Sequence, residues 1–337
     1  MIQGKPRQAV VTETGEVKRR TLMVVEEKPR ILFMGTPEFA VPSLRRLIDE
    51  GYNLLAVVTQ PDRPRGRGRK SEASPVKRTA EKYGIPVLQP DRVRDESFLE
   101  LFREIAPDMV VLVAFGQILP GEVIDFPKLG CLNVHPSLLP LYRGAAPINW
   151  ALIRGEEKTG VTVIVMDRGV DSGDILLQEE FPIGPEDTYD TLHDRLAEEG
   201  ARLLVEAVEG VVKGTAKRTT QDHTLATYAP RLKKEDCHID WNADVKDIIN
   251  LIRGLSSSPG AYAYLRDKQV KIFFARGEKA QRAGSPGAIV QVGPQELRVA
   301  ARDGFVYPLD VQLEGRKRMG IRDFLKGYRV MPGEILR

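Results

Sequence analysis

From Arg30 onward the apolar positions fall into short blocks at regular intervals. Residues 30–34 (RILFM) form an apolar run stopped by Gly35, with the length and flank of a buried strand. Pro37 then opens a helix, with Phe39, Val41, Leu44, Leu47 and Ile48 at near-helical spacing. The pattern continues with a strand at 54–59, a helix at 74–83, a brief strand at 86–88 and a helix at 98–105. It ends with a fully apolar strand at 109–114 (MVVLVA) and two further strands at 131–134 and 161–166. Strands alternating with helices predict an α/β fold, a Rossmann-like, mostly parallel sheet with helices on both faces. Ligands of such sheets sit beyond the carboxyl ends of the strands. The residues just after each strand are therefore where chemistry is to be sought.

Composition narrows the class. A chain of 337 residues suggests two domains, and 42% hydrophobic with 29% charged residues is the balance of an ordinary globular protein. No apolar run is long enough for a membrane span. Cys131 and Cys237 lie far apart, which is neither a disulfide framework nor a CxxC metal pair, and points to a reducing cytoplasm. His135, His193, His223 and His238 never fall at metal-ligand spacing, so no metal is expected. Residues 1–29 are charged, lack the apolar middle of a signal peptide, and read as a flexible arm with Met23 as a candidate start. Net charge is +3, yet residues 231–337 hold 20 Lys/Arg against 13 Asp/Glu, which suits a polyanionic partner for that part.

The strand ends carry the candidate chemistry. Gly35-Thr36-Pro37-Glu38-Phe39 lacks the G-x-G-x-x-G of a nicotinamide site, and no GxxxxGK[ST] loop follows any strand. Gln60 to Lys70 (QPDRPRGRGRK) holds five cations, one anion and two glycines, an exposed and anion-seeking loop. Asn133 and His135 are two apart in a strand, so both side chains share one face, and Pro136 ends the strand just beyond. Asp167-Arg168-Gly169-Val170-Asp171-Ser172-Gly173-Asp174 makes a tight polar turn, expected at the same edge of the sheet. Ser137 sits in no Gly-x-Ser-x-Gly elbow and is not a candidate nucleophile. An amide donor, an imidazole and a carboxylate at one edge suit acyl transfer through a tetrahedral adduct. Asn133 can donate to the oxyanion, His135 can donate to it or take the amine's proton, and Asp171 can orient the ring.

Several segments carry a family likeness: Gly35 to Ala40, Gln60-Pro61-Asp62-Arg63-Pro64 with Gly66-Arg67-Gly68, Ser74-Pro75-Val76-Lys77, Asn133-Val134-His135 with Ser137-Leu138-Leu139-Pro140, Arg143 to Ile148, and Asp167 to Asp174. In them the chain resembles the folate-dependent formyltransferases, over nearly all of its length after Arg30. The arginine-rich loop and the extra C-terminal part are similar to the members that act on methionyl-tRNA rather than on a purine precursor.

The resemblance implies formyl transfer from 10-formyltetrahydrofolate to the amino group of initiator methionyl-tRNA, for translation initiation. It implies that Asn133, His135 and Asp171 are catalytic and that Ser137, Leu138, Leu139 and Pro140 contact the folate. Arg67 matches the arginine that reads the tRNA acceptor end, and Arg63, Arg65, Arg69 and Lys70 share its loop. It also implies a catalytic domain over 30–220, a linker over 221–232 and an OB-like barrel over 233–337, with Lys317, Arg318 and Arg322 on its basic side. The β-like runs at 270–274, 288–292, 296–301 and 304–311 fit a small barrel. Ser256-Ser257-Ser258-Pro259-Gly260 departs from the family's tryptophan-containing run, with Tyr262 or Tyr264 as substitutes for its packing. Monomeric action is expected. A formyltransferase for a small amine and a non-catalytic nucleic-acid binder remain alternatives at this level.

Overall fold

The computed structural model describes residues 28–65, 70–281 and 284–337. All but the last two residues of the expected arm 1–29 lie outside the described residues, as do Arg67 and Arg69.

In chain order the first part holds β1 (Arg30–Gly35), α1 (Val41–Asp49), β2 (Asn53–Val58), β3 (Arg63–Arg65), β4 (Lys70–Glu72), α2 (Pro75–Lys82), β5 (Val87–Leu88) and α3 (Glu96–Ile105). It continues with β6 (Met109–Val113), α4 (Gly121–Asp125), β7 (Cys131–His135), α5 (Pro147–Ile153), β8 (Lys158–Val165), β9 (Ile175–Pro182) and α6 (Tyr189–Val212). Seven strands form one sheet in the order β5-β2-β1-β6-β7-β8-β9. The first five are parallel, as the alternation of strand and helix predicts.

Alternate residues of each strand enter opposite cores. Ile31, Phe33, Val111, Leu132 and Val134 pack with Leu44 and Leu47 of α1 and Leu196 and Leu204 of α6. Leu32, Met34, Val110, Leu112 and Cys131 pack with Phe98 and Phe102 of α3 and Val123 of α4. This two-sided burial is why these strands read as unbroken apolar runs.

One expectation fails here. β8 pairs antiparallel with β7, Leu132 opposite Val165 and His135 opposite Thr162, and β9 continues antiparallel. The carboxyl end of β8 therefore lies beside the amino half of β7, and the turn 167–174 does not leave from the edge where His135 sits. Hydropathy marks a strand but not its direction, which depends on how the chain between β7 and β8 returns. The elements β9 and α6 also escape the hydropathy reading. The buried face of α6 includes Ala197, Gly200, Ala201 and Ala207, which contribute little to an apolar pattern. Gly200 is needed there: a Cβ on it would stand 2.9 Å from Val134 Cγ1, so glycine lets the helix lie against β7.

The second part holds α7 (Val245–Gly254), β10 (Ala261–Leu265), β11 (Lys268–Lys279), β12 (Ile289–Val292), β13 (Leu297–Ala301), β14 (Gly304–Leu313), β15 (Met319–Gly320) and α8 (Ile321–Gly327). These strands form an antiparallel sheet in the order β10-β11-β14-β13-β12, with β15 on β14. The last residues join its two edges. Tyr264 and Arg337 exchange backbone hydrogen bonds of 2.6 and 2.9 Å, and Leu336 N donates to Gly287 O at 2.8 Å. The edge strands β10 and β12 are thus covered by the chain terminus rather than left open. Inside lie Ile248 and Ile252 of α7 with Ile272, Val299, Val306 and Val311.

Asn149 Nδ2 of α5 donates to Gly254 O at 2.8 Å, and Ser257 N donates to Asp190 Oδ2 at 3.0 Å, tying the two parts together. Tyr262 and Tyr264 meet edge-on at 5.7 Å, and both pack against His238. Both thiols are buried, and burial pushes both above the ordinary thiol range. We expect a thiol reagent at mildly alkaline pH to leave the native protein unlabelled, and to label both cysteines once it is denatured. Rapid labelling of Cys131 in the native protein would contradict this packing.

Candidate active site

The site is built where β6 and β7 end. Asn133 and His135 project from β7 toward the face that carries Cys131, opposite to Leu132 and Val134, and both are buried. The turn 167–174 reaches them from the far end of β8 by folding across that face. Asp167 holds the turn, its carboxylate accepting from Gly169 N at 3.0 Å and from Ser172 Oγ at 2.8 Å. A Cβ on Gly173 would lie 1.9 Å from Val165 O, so only glycine lets the turn close against β8.

The turn delivers Asp171 between the other two residues. Asn133 Nδ2 donates to Asp171 Oδ1 at 3.3 Å, and His135 Nδ1 stands 3.6 Å from Asp171 Oδ2. Gly144 N donates to Asp171 Oδ2 at 2.8 Å. The other ring nitrogen, Nε2, lies 2.9 Å from Tyr142 O. A carbonyl oxygen only accepts, so Nε2 carries the proton of the neutral ring and Nδ1 is its acceptor. Asp171, Tyr142 and Ala114 all have positive φ (50°, 60° and 47°), although none is glycine. Such left-handed residues are costly and cluster at functional sites, here holding three loops in place around one point.

A cavity of about 630 Å³ opens at this point. Asn133, His135, Gly144 and Asp171 line it together with Ala114, Phe115, Gly116, Gln117, Ile118 and Val170 on one side. Phe39, Tyr189 and His193 line it on another, with Phe39 and His193 edge-on at 5.3 Å. Ile118 is 86% exposed and Val170 56%, two apolar side chains at a rim that a bound apolar ligand would cover. Among the described residues, no group of three His, Cys, Asp or Glu side chains is arranged to hold a metal ion.

The other expected residues are placed differently. Ser137 is buried, its hydroxyl donating to Leu141 O at 2.6 Å, and Leu139 N donates to Thr162 Oγ1 at 3.2 Å. None of Ser137, Leu138, Leu139 and Pro140 lines the cavity; they brace the chain just after His135 against β8. Arg63, Arg65 and Lys70 belong to the two-stranded ribbon β3–β4. The root of that ribbon is fixed by Asp62, which accepts from Lys77 Nζ and Gln89 Nε2, both at 2.7 Å. These hydrogen bonds, Lys77's first, hold the Asp62 carboxyl below the usual carboxylate range. Nearby Gln60 donates to Phe115 O at 3.4 Å, so the ribbon starts beside the cavity. Lys317 and Arg318 lie in the turn between β14 and β15, and Arg322 lies on α8. Arg318 is paired with Asp310 at 2.6 Å and stacked on Phe273.

Four contributors escaped the sequence reading of roles. Tyr142, Arg143 and Gly144 supply an acceptor, an anchor and a donor to the site; the Arg-Gly pair was visible as a motif without a role. The fourth is Gln221, a polar residue in a polar segment, for which the sequence holds no signal.

The residues 29–208 match the family model for formyl transferase and residues 231–329 that for the formyl transferase C-terminal domain. The chain belongs to the formyl transferase family. It is 55% identical to a methionyl-tRNA formyltransferase of Syntrophus aciditrophicus over 92% of this chain and 99% of that protein. It is 50% identical to a methionyl-tRNA formyltransferase of Citrifermentans bemidjiense over 91% of this chain and 96% of that protein. Among solved structures, HypX from Aquifex aeolicus in complex with tetrahydrofolic acid covers 92% of this chain with a TM-score of 0.61 at 21% identity, the match spanning 51% of HypX. The sugar 3N-formyltransferase WlaRD covers 86% of this chain and 99% of its own at a TM-score of 0.63 and 19% identity. Likeness at that identity speaks for the fold.

Proposed function

We propose that the chain transfers the formyl group of 10-formyltetrahydrofolate to the amino group of methionyl-tRNA, giving formylmethionyl-tRNA for translation initiation. The observation that carries the reading is the meeting of Asn133, His135 and Asp171 on one cavity, with the ring acceptor and a carboxylate 3.6 Å apart. Two relatives at 50% identity or more with that name support the choice of amine.

The chemistry follows from the donors present. Free α-amino groups titrate near ~8, and esterification lowers that value, so the amine of a methionyl ester is largely reactive at neutral pH. The formyl carbon of an amide-like donor is the resistant partner, and stabilising its oxyanion is the main lever. An amide nitrogen has two N–H donors. One of Asn133's goes to Asp171, and the other serves the oxyanion. As the amine nitrogen bonds to the formyl carbon, its proton passes to His135 Nδ1, and Asp171 balances the imidazolium. Collapse breaks the bond to the folate N10, which takes that proton from the ring. The apolar rim of Phe115, Ile118 and Val170 suits the flat folate ring system. Ser137, Leu138, Leu139 and Pro140, the segment just after His135, are assigned to contact with the folate as it enters beside that ring.

We assign residues 30–220 to catalysis, 221–232 to a linker and 233–337 to an OB-like, tRNA-binding barrel; the terminus-closed antiparallel sheet supports the barrel. Arg63, Arg65, Arg67, Arg69 and Lys70 meet the acceptor end, and Lys317, Arg318 and Arg322 meet the tRNA body, in a monomer of the cytoplasm. Among the described residues no helix is long and apolar enough to cross a membrane.

The direct test is to incubate the protein with 10-formyltetrahydrofolate and methionyl-tRNA and recover formylmethionine from the tRNA; its absence would overturn the reading. Affinity for the tRNA should fall linearly on a log–log plot against salt, as phosphate contacts release counterions. Arg67→Ala should weaken use of the tRNA and leave folate use nearly unchanged. A flat salt response, or an equal loss on both substrates, would argue against the basic loop's role.

A further inference from the structure

The segment between the two sheets holds a buried amide wired to the catalytic turn. Gln221 is 4% exposed. Its Nε2 donates to Asp171 O at 2.9 Å and to Gly173 O at 2.7 Å. Its Oε1 accepts twice from Arg143, from Nε at 3.2 Å and from Nη2 at 2.6 Å. Arg143 is also 4% exposed and precedes Gly144, whose N–H holds the Asp171 carboxylate. The same segment runs along the loop after His135. Arg143 N donates to Thr227 O at 2.9 Å, Ala229 N to Arg143 O at 2.7 Å, and Tyr142 N to Thr227 Oγ1 at 2.8 Å. The two loops that carry Asp171 and Tyr142 thus touch directly at Gly144 N and are tied a second time through Gln221, which belongs to neither.

We propose that Gln221 is a positioning residue for formyl transfer: it sets the backbone of Asp171 and, through Arg143, the loop that aims both the Asp171 carboxylate and the His135 ring. The proposal rests on the catalytic reading of Asn133, His135 and Asp171. Asp171 has a positive φ and does not hold that backbone conformation by its own preference. Two donors on its own carbonyl and that of Gly173 clamp the turn from outside. No other side chain in the described structure links the turn to Arg143. Glutamine suits the task because one planar group offers two donors at one end and an acceptor for a guanidinium at the other. Each amide hydrogen goes to a separate carbonyl, so neither glutamate nor methionine reproduces it. A buried polar group with all its partners also costs the fold little, while loss of this amide removes a donor from each of two carbonyls and leaves the guanidinium with His223 Nδ1 at 3.0 Å. The segment that connects the sheets is therefore part of the active site, and removing residues from 221 onward disables formyl transfer to any amine, large or small.

The test compares the parent chain with Gln221→Met and Gln221→Glu in formylation of methionyl-tRNA, with folding followed by thermal melting. We expect Gln221→Met to fold, to keep both KM values within about threefold, and to lose roughly 10- to 100-fold in kcat, the scale of a catalytic group displaced by about an ångström. Gln221→Glu presents a carboxylate to two carbonyls and should lose at least as much. Its kcat relative to the parent should rise as pH falls, because the protonated carboxyl regains one donor. That rise separates positioning from mere packing, which no proton restores. A Gln221→Met kcat within twofold of the parent, or a Gln221→Glu ratio that is flat with pH, would overturn the proposal. A parent chain that forms no formylmethionine would instead overturn the functional reading, and this inference with it.

Discussion

Asn133→Ala and His135→Ala should each lower turnover by about 10²–10³-fold, with folate affinity changed by no more than a few-fold. The expectation comes from what each side chain is free to do. Asn133 is fixed in mid-strand on β7 with one N–H on Asp171 at 3.3 Å, so its second N–H is preorganised toward the cavity. Such a donor gains strength as charge develops on the formyl oxygen and gains little in the ground state, so its loss falls on kcat. His135 is held at Nε2 by the Tyr142 carbonyl, which leaves Nδ1 as the proton acceptor. Alanine removes that acceptor. It also leaves a carboxylate facing an emptied site, so water entering there is the expected source of residual activity. Single-turnover formylation with saturating folate reads the effect directly. Near-normal turnover in either variant would remove that residue from the chemistry.

Asp171→Asn should be at least as damaging, by about 10² or more in turnover. Both oxygens of the carboxylate are committed as acceptors, Oδ1 to Asn133 and Oδ2 to Gly144 N at 2.8 Å. An amide must turn its NH2 toward one of those donors, so one contact becomes donor against donor. The negative charge opposite His135 Nδ1 disappears as well. Two different losses follow: the loop around Gly144 loosens, and the imidazolium loses its counter-charge. The second should alter the pH–rate profile, while folate affinity changes little. A variant with full turnover and the parent's pH profile would exclude Asp171 from proton handling.

Much of this was legible in the residues. The run MVVLVA at 109–114 needs two apolar faces, and it lies in the centre of the sheet between β1 and β7. Asn133 and His135 share a face because a strand repeats every two residues, and Pro136 marks where the strand must stop. The family motifs picked out Asp171 across a long gap in sequence. What could not be read was the route by which it arrives. A mostly parallel sheet puts the turn 167–174 at the edge of His135, whereas the antiparallel β8 starts it from the opposite one. The partner of Ser137 was equally hidden: its hydroxyl donates to Leu141 O at 2.6 Å. The hydroxyl of a buried serine satisfies whichever backbone carbonyl the fold brings near, and hydropathy cannot see that.

The residues alone set the local facts: which segments of the first sheet's centre are strands, which two side chains share the face of β7, and which family the motifs match. These depend on short-range geometry, in which each residue and its near neighbours decide the outcome. Tertiary structure alone decided that β8 runs backward, that Asp171 crosses the sheet to stand between Asn133 and His135, that Gln221 grips it from the connecting segment, and that Arg337 closes the second sheet. Among those contacts, the Gly144–Asp171 hydrogen bond joins residues 27 positions apart and the Arg143–Gln221 pair residues 78 apart. Their partners are chosen by how whole elements pack and which buried polar groups must find one another, and no periodicity along the chain records that choice.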